Sequence, residues 1–227
     1  MSFEKLMKVF SPDGRIYQME YAFKAIHMFG QTSIAVRGTD TVVVCTQRKV
    51  PDKLIVAESI TNIFTISDNI GAVMVGNMQD AKFVITWLRQ TAAQFKFKQG
   101  YLIPVHVLSQ KLGNYLQKYS QYAAMRPFCV NTTLVGFDEE FGPQCYRVDP
   151  SGQAVGFRAV STGAKEQEAT SQLEKHWKKK NGDIDMKETI EMAIQTLQTV
   201  VSSDFKASEI EIGISDIRNP KFRKLTE

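Results

Sequence analysis

Phe10-Ser11-Pro12-Asp13-Gly14-Arg15-Ile16-Tyr17-Gln18-Met19-Glu20-Tyr21-Ala22 is the stretch on which the reading of this chain turns. Ser11-Pro12-Asp13-Gly14 sets Ser, Pro and Gly at the first, second and fourth positions that a type I turn favours, so the first residues end at a defined bend. A helix is predicted to follow over residues 17–29. Tyr17, Tyr21, Ala22, Ala25, Ile26 and Phe29 fall on one apolar stripe, and Met19 and Phe23 widen it onto a second face. A helix apolar over so broad an arc needs burial on more than one side.

Downstream, alternating runs at 33–37 and 41–46 flank Gly38-Thr39-Asp40, and runs at 63–66 and 70–75 flank Ser67-Asp68-Asn69, which reads as two antiparallel hairpins. Two helical patterns follow, one carrying Ala81, Ile85, Leu88 and Ala92, the next carrying Val105, Leu108, Leu112 and Leu116 behind Pro104. The second half repeats the order: strands near 132–137, 144–148 and 154–159, then helices at 165–178 and 186–201, and a last strand at 209–214. Strands and helices segregated in this way predict an α+β fold of two antiparallel sheets face to face, each covered by a helix pair, in four layers. The expected division is one domain over 1–227, with a tail and turn at 1–16, a helix at 17–29, a sandwich at 32–217 and a tail at 218–227.

The composition of the 227 residues, 43% hydrophobic and 23% charged, is that of a globular domain. No apolar run nears the roughly 18 residues a membrane span needs, and the first residues lack a signal-peptide pattern, so a soluble protein inside the cell is expected. Cys45, Cys129 and Cys145 are odd in number and sit in apolar runs, which predicts buried reduced thiols. His27, His106 and His176 belong to no ligand-spaced motif, and no metal is expected. Gly163-Ala164-Lys165-Glu166 lacks both the glycine spacing and the Ser or Thr of a phosphate loop, so no nucleotide and no other cofactor is expected. The net charge of +4 is spread along the chain except at Lys175-His176-Trp177-Lys178-Lys179-Lys180, which reads as the solvated end of a helix before Asn181-Gly182, not as a nucleic-acid site. Asp138-Glu139-Glu140 reads as an exposed hairpin tip.

The turn and helix stretch closely resembles the amino-terminal signature of proteasome alpha subunits, through Phe10, Ser11, Gly14, Arg15, Gln18 and Glu20. The resemblance continues through Lys49-Val50-Pro51-Asp52-Lys53-Leu54, Ala124-Met125-Arg126-Pro127 and Asp204-Phe205-Lys206-Ala207-Ser208-Glu209-Ile210-Glu211, and it is strongest to the type-six branch, alpha-one in systematic naming. It implies the four-layer α/β/β/α sandwich of N-terminal-nucleophile hydrolases. It also implies a place in a seven-membered outer ring, beside other alpha subunits and above a ring of beta subunits, in ubiquitin-dependent and independent protein degradation in cytoplasm and nucleus. The first helix would lie between ring neighbours, where its second apolar face would find cover.

Cutting beta subunits use an N-terminal threonine whose amine serves as base, helped by a carboxylate and a lysine. Registering Ser33-Ile34-Ala35-Val36 and Thr41-Val42-Val43-Val44 on the beta pattern puts Gln31 at the nucleophile, Gln47 at the acid and Ile63 at the lysine. None can perform its role, and losing even one acid or base commonly costs ~10²- to 10⁴-fold in rate. A non-catalytic subunit is therefore expected. The competing reading is a self-standing hydrolase processed after Gln31 to expose Thr32.

The resemblance also implies a gate, in which a tail triplet acts with a turn proline and a helix tyrosine. Here these are Phe3, Glu4 and Lys5 with Pro12 and Tyr21, and Phe3 and Lys5 depart from the family's Tyr and Arg, removing a hydroxyl and a planar fork of donors. Lys53 is expected to face a pocket that takes the carboxyl terminus of a regulatory particle or other activator, with Gly76 nearby permitting close backbone approach. A plain surface lysine and a helix-start glycine are the alternatives.

Overall fold

The turn at Gly38-Thr39-Asp40 brings β1 (Thr32–Arg37) back along β2 (Thr41–Gln47), with Ser33 opposite Thr46 and Arg37 opposite Val42. The computed structural model describes residues 10–29, 31–122, 124–180, 182–201 and 209–225. The second hairpin joins β3 (Ile63–Thr65) to β4 (Ile70–Gly76), which pairs in turn with β5 (Val130–Asp138). β6 (Gly142–Val148) and β7 (Ala154–Gly156) complete this sheet in the order β3-β4-β5-β6-β7. The other sheet runs β10-β9-β2-β1-β8, with β8 at Ala159–Gly163, β9 at Ile210–Asp216 and β10 at Arg223–Leu225.

Helices α2 (Met78–Gln99) and α3 (Val105–Gln121) cover the sheet that begins with β3, and α4 (Glu166–Lys179) and α5 (Met186–Val201) cover the other. Three apolar layers result. Ile85, Leu88, Leu108, Leu112 and Leu116 fill the first with Met74 and Leu134. Leu173, Met192, Ala193 and Leu197 fill the second with Ile34, Val43 and Ile214. Between the sheets lie Ala35, Val42, Val44, Ile63, Val73, Val135 and Cys145. Each fully buried aliphatic side chain contributes roughly 1.5–3 kcal/mol through water released from its surface. Helix ends follow local chemistry: Asn77 caps α2 by accepting from the Gln79 and Asp80 amides at 2.8 and 3.3 Å, and Pro104, with no N–H to satisfy, stands just ahead of α3.

Two expectations about strands are corrected. The run at 154–159 is not one strand. β7 ends at Gly156, the chain steps across at Phe157-Arg158, and β8 joins the opposite sheet against β1. The step carries a rung on each side, since the Phe157 amide donates to the Cys145 carbonyl and the Arg158 carbonyl accepts from the Arg37 amide, both at 2.8 Å. Nor does the sandwich stop at residue 217. β10 pairs with β9, Arg223 opposite Ile214, and Phe222 wedges between the sheets at 6% exposure. Gly71 and Gly213 make room for that ring, because a Cβ on either would come within 2.1 and 2.5 Å of its Cζ. Tails drawn by composition miss such a wedge, since one aromatic supplies most of the anchorage.

Smaller departures have equally local causes. α1 (Tyr17–Met28) closes one residue early, with Phe29 as its cap. Asp138 is buried, not exposed: its carboxylate accepts the Glu140 and Phe141 amides at 3.0 Å and so shapes the hairpin tip. Cys45 and Cys145 are buried free thiols, as expected, while Cys129 is only half-buried. Among the described residues, no helix is long and apolar enough to cross a membrane.

Candidate functional site

The signature stretch folds into a turn with a built interior. The Gly14 amide donates to the Ser11 carbonyl at 2.8 Å, and the Ser11 amide donates back to the Arg15 carbonyl at 2.9 Å. Ser11 Oγ, largely buried, takes the Arg15 amide at 3.1 Å. Arg15 then reaches Glu20 with two donors, Nε and an Nη, each at 2.6 Å, and its guanidinium stands 5.5 Å from the Tyr17 ring centroid. Hydrogen bonding and charge raise the Arg15 pKa and lower that of Glu20. Ser11, Gly14, Arg15 and Glu20 are thus one unit that fixes where α1 begins, with Gln18 on the helix it starts.

That helix is seated on one side only. Met19, Ala22 and Ile26 are buried, and the helix lies against β4 and β5. At its end His27 Nδ1 and the Gly163 carbonyl meet at 3.0 Å. Tyr21 and Met28 on the helix are exposed, as are Phe29 at its cap and Phe10 and Pro12 in the stretch before it. Of the residues expected to form a gate, Pro12 and Tyr21 are exposed, and Phe3, Glu4 and Lys5 lie outside the described residues.

Of the expected catalytic positions, Gln31 stands ahead of β1, Gln47 ends the adjacent β2 and Ile63 opens β3 in the other sheet, and none of the three side chains is an acid or a base. Gln31 precedes the strand, half-buried, and its carbonyl accepts the Ala164 amide at 3.2 Å. Thr32 is 2% exposed; its carbonyl accepts Thr46 Oγ1 at 3.2 Å and its own hydroxyl accepts the Lys165 amide at 3.4 Å. Gly163 presses directly on this turn with φ at 116°, and a Cβ there would stand 1.9 Å from the Gln31 carbonyl oxygen. Gln47, half-buried, ends β2. Ile63 is fully buried in the layer between the sheets.

A buried carboxylate does stand close by, and sequence reasoning missed it. Glu211 on β9 is 4% exposed, and its oxygens accept Arg48 at 2.9–3.0 Å, Thr61 Oγ1 at 3.0 Å and the Asn62 and Ile63 amides at 3.1 and 3.3 Å. Both oxygens are engaged in tying β9 to the segment before β3. It is a structural clamp, not a base. The signal available beforehand was an acidic residue alternating with Ile210 and Ile212 in a buried strand.

The hydrolase reading of Thr32 fails on this geometry. A cut after Gln31 would sever a carbonyl held by Ala164 from a threonine held in the β1–β8 ladder, and neither Gln31, Gln47 nor Ile63 carries the acid or cation that would assist the freed amine. Thiol chemistry fares no better: burial pushes Cys45 and Cys145 up to about 12, and burial together with Asp80 raises Cys129. The three histidines are separated, His106 edge-on to Phe141 and His176 on α4. The lysine cluster does end a helix, with Lys180 as its cap and bound to Glu188.

Lys53 lies in the segment between β2 and β3, exposed in a turn, and Gly76 ends β4. Gly76 is explained by its own turn into α2, with φ at 132° and a Cβ that would meet the Cys129 carbonyl oxygen at 2.2 Å. Beside it, the Ala124–Pro127 motif shows its purpose: Arg126 grips Asp80 with two donors at 2.6 and 2.7 Å, and the Cys129 amide adds a third at 2.8 Å. Burial would raise the Asp80 pKa, but those hydrogen bonds and the cation outweigh it and hold it low.

Similarity to known proteins agrees with this geometry. The "Proteasome subunit" family profile matches residues 28–215, and the N-terminal signature profile of A-type proteasome subunits matches residues 7–25. The chain belongs to the proteasome subunit family. It is similar to "Probable proteasome subunit alpha type-1" of Schizosaccharomyces pombe and "Proteasome subunit alpha type-6" of Caenorhabditis elegans, each 42% identical over 99% of this chain and 91% of the relative. It is also 32% identical to "Proteasome subunit alpha" of Methanosarcina thermophila over 99% of this chain and 89% of that one. Within the family it is of the alpha type, the non-catalytic class.

Proposed function

We propose that this subunit occupies one place in the outer seven-membered ring of a proteasome core particle, flanked by other alpha subunits and stacked on beta subunits, and that it contributes to the substrate gate and to activator docking. The observation that carries this reading is α1, held in place by the Ser11–Glu20 unit, seated by Met19, Ala22 and Ile26, with Phe10, Tyr21, Met28 and Phe29 exposed on it or beside it. Large apolar side chains left exposed on and beside a seated helix suit a neighbour, since water would otherwise meet them. Protein degradation in the cytoplasm and nucleus, with and without ubiquitin, is the setting this reading supplies.

Two measurements test it. The chain expressed with its partner subunits should purify in a particle whose native mass fits about 28 chains, and persistence as a monomer refutes the assignment. In such particles, deleting Met1 to Val9 should raise basal hydrolysis of small fluorogenic peptides, and an unchanged rate removes the gate from its duties. Lys53 stands for activator docking on charge alone: Lys53→Ala should weaken one carboxylate contact by roughly 10- to 100-fold. Equal activator affinity in the variant returns it to an ordinary surface lysine.

A further inference from the structure

β10 runs at the edge of one sheet and β3 at the edge of the other, and a single lysine bridges the seam between them. Lys224 on β10 reaches across, its Nζ donating to Thr61 Oγ1 at 2.7 Å and standing 5.9 Å over the Phe64 ring. Thr61 in turn donates to one oxygen of Glu211 at 3.0 Å, and the other oxygen is taken by Arg48 at 2.9–3.0 Å. Two cations therefore share one carboxylate. Arg48 holds it directly with two donors, whereas Lys224 meets it only through a neutral hydroxyl and makes no ion pair among the described residues.

That placement sets Lys224 apart. Lys96, Lys165, Lys180 and Lys187 each face a carboxylate, which keeps an ammonium charged and its nitrogen without a lone pair to offer. Lys224 instead has an aromatic ring, a hydroxyl and a nearby guanidinium around it. Crowding by protein, and the Arg48 charge with it, push its amine below the ordinary lysine range against the opposing pull of Glu211. The residue is nonetheless exposed, so a reagent can reach it. A lysine that is both reachable and weakly held as ammonium presents a free amine.

We infer that Lys224 is a site of covalent acylation, its neutral amine attacking the carbonyl carbon of a small acyl thioester such as acetyl-coenzyme A. The nitrogen lone pair forms the new carbon–nitrogen bond, and the carbon–sulfur bond breaks with its electron pair going to sulfur. The nitrogen gives up one proton and the departing thiolate takes one up, so amine and thioester become amide and thiol. Acylation removes the positive charge. Arg48 and Glu211 are then left as a matched pair, and an uncharged group replaces the ammonium beside Phe64. This is a property of the single chain and does not depend on the ring reading.

The test incubates the full chain with acetyl-coenzyme A at mildly alkaline pH and follows each lysine by peptide mass spectrometry, with circular dichroism to verify folding. Lys224 should be acetylated several-fold faster than Lys53 and Lys111, which are also exposed. Because only the neutral amine reacts, its rate should climb with pH and level off at a lower pH than that of free Nα-acetyl-lysine. Arg48→Gln removes the neighbouring positive charge and leaves Glu211 to hold the ammonium, so it should slow Lys224 toward the rate of Lys53, while Arg48→Lys should keep it fast. If Arg48→Gln does not fold, the pH profile of the unaltered chain decides. Acetylation of Lys224 no faster than Lys53, a profile that coincides with the free amine, or an unchanged rate in folded Arg48→Gln overturns the inference.

Discussion

Phe222→Ala should be among the most damaging single changes outside the helix-covered layers. The ring is 6% exposed and lies between β4 and β9, over two glycines that have no side chain to fall into the vacated space. Removing it forfeits the transfer of a whole aromatic and leaves a cavity with rigid backbone walls, which costs about 3–5 kcal/mol. For a chain of this length each kcal/mol moves the midpoint by about 2–4 °C, so thermal unfolding should fall by roughly 6–20 °C. Calorimetry on the isolated chain measures it, with urea unfolding as an independent readout. Gly71→Ala supplies the reciprocal arm, since its Cβ would lie 2.1 Å from Phe222 Cζ and must displace the ring. Combining the two should cost less than their sum, by a coupling on the order of 0.5–3 kcal/mol. A fall below about 3 °C for Phe222→Ala, or strict additivity with Gly71→Ala, would refute the wedge as the element that joins the carboxyl-terminal strand to both sheets.

Asp80→Asn should lower stability at neutral pH by about 1–3 kcal/mol, since the grip of Arg126 and the Cys129 amide is made to a charge. Because the folded pKa of Asp80 lies below its ordinary value of 3.8, this contribution is complete above that pH and disappears as pH falls through the lower folded value. The gap between variant and wild type should therefore close in acid below about pH 4, and a gap constant from pH 3 to 7 would contradict the ionic account. Cys45 and Cys145, pushed up to about 12, should resist iodoacetamide in the native chain at pH 8 and react after denaturation. Native labelling of either, read by mass spectrometry, would show the inter-layer packing to be looser than described. Thr32→Val should leave peptide hydrolysis by assembled particles unchanged, and a loss would revive a catalytic role.

Periodicity made most of the architecture legible. Tyr17 to Phe29 announced a helix with more apolar face than one contact can hide, one residue longer than α1, and residues 186–201 marked α5 to the residue. Strand membership was harder, because the run at 154–159 reads the same whether it stays in one sheet or crosses between two. The crossing is decided by tertiary partners, the Cys145 carbonyl and the Arg37 amide, which no local pattern contains. β10 was invisible for a related reason: three residues carry no period, and the phenylalanine that anchors them declares itself only once Gly71 and Gly213 are seen opposite. At the candidate site the sequence offered only the uncharged side chains of Gln31, Gln47 and Ile63. What fills those places, the Thr46–Thr32–Lys165 bonding and the Glu211 clamp, depends on strands far apart in the chain.

The closed start of β1 has a developmental consequence for the polypeptide. A framework that must liberate a reactive amine at this point has to discard whatever was synthesised ahead of it. Here the Gln31 carbonyl is held by the Ala164 amide and the Thr32 carbonyl by Thr46 Oγ1. On the non-catalytic reading no such removal is called for, and the turn at Ser11–Gly14 with α1, both ahead of the strand, serves as a fixed part of the subunit's surface.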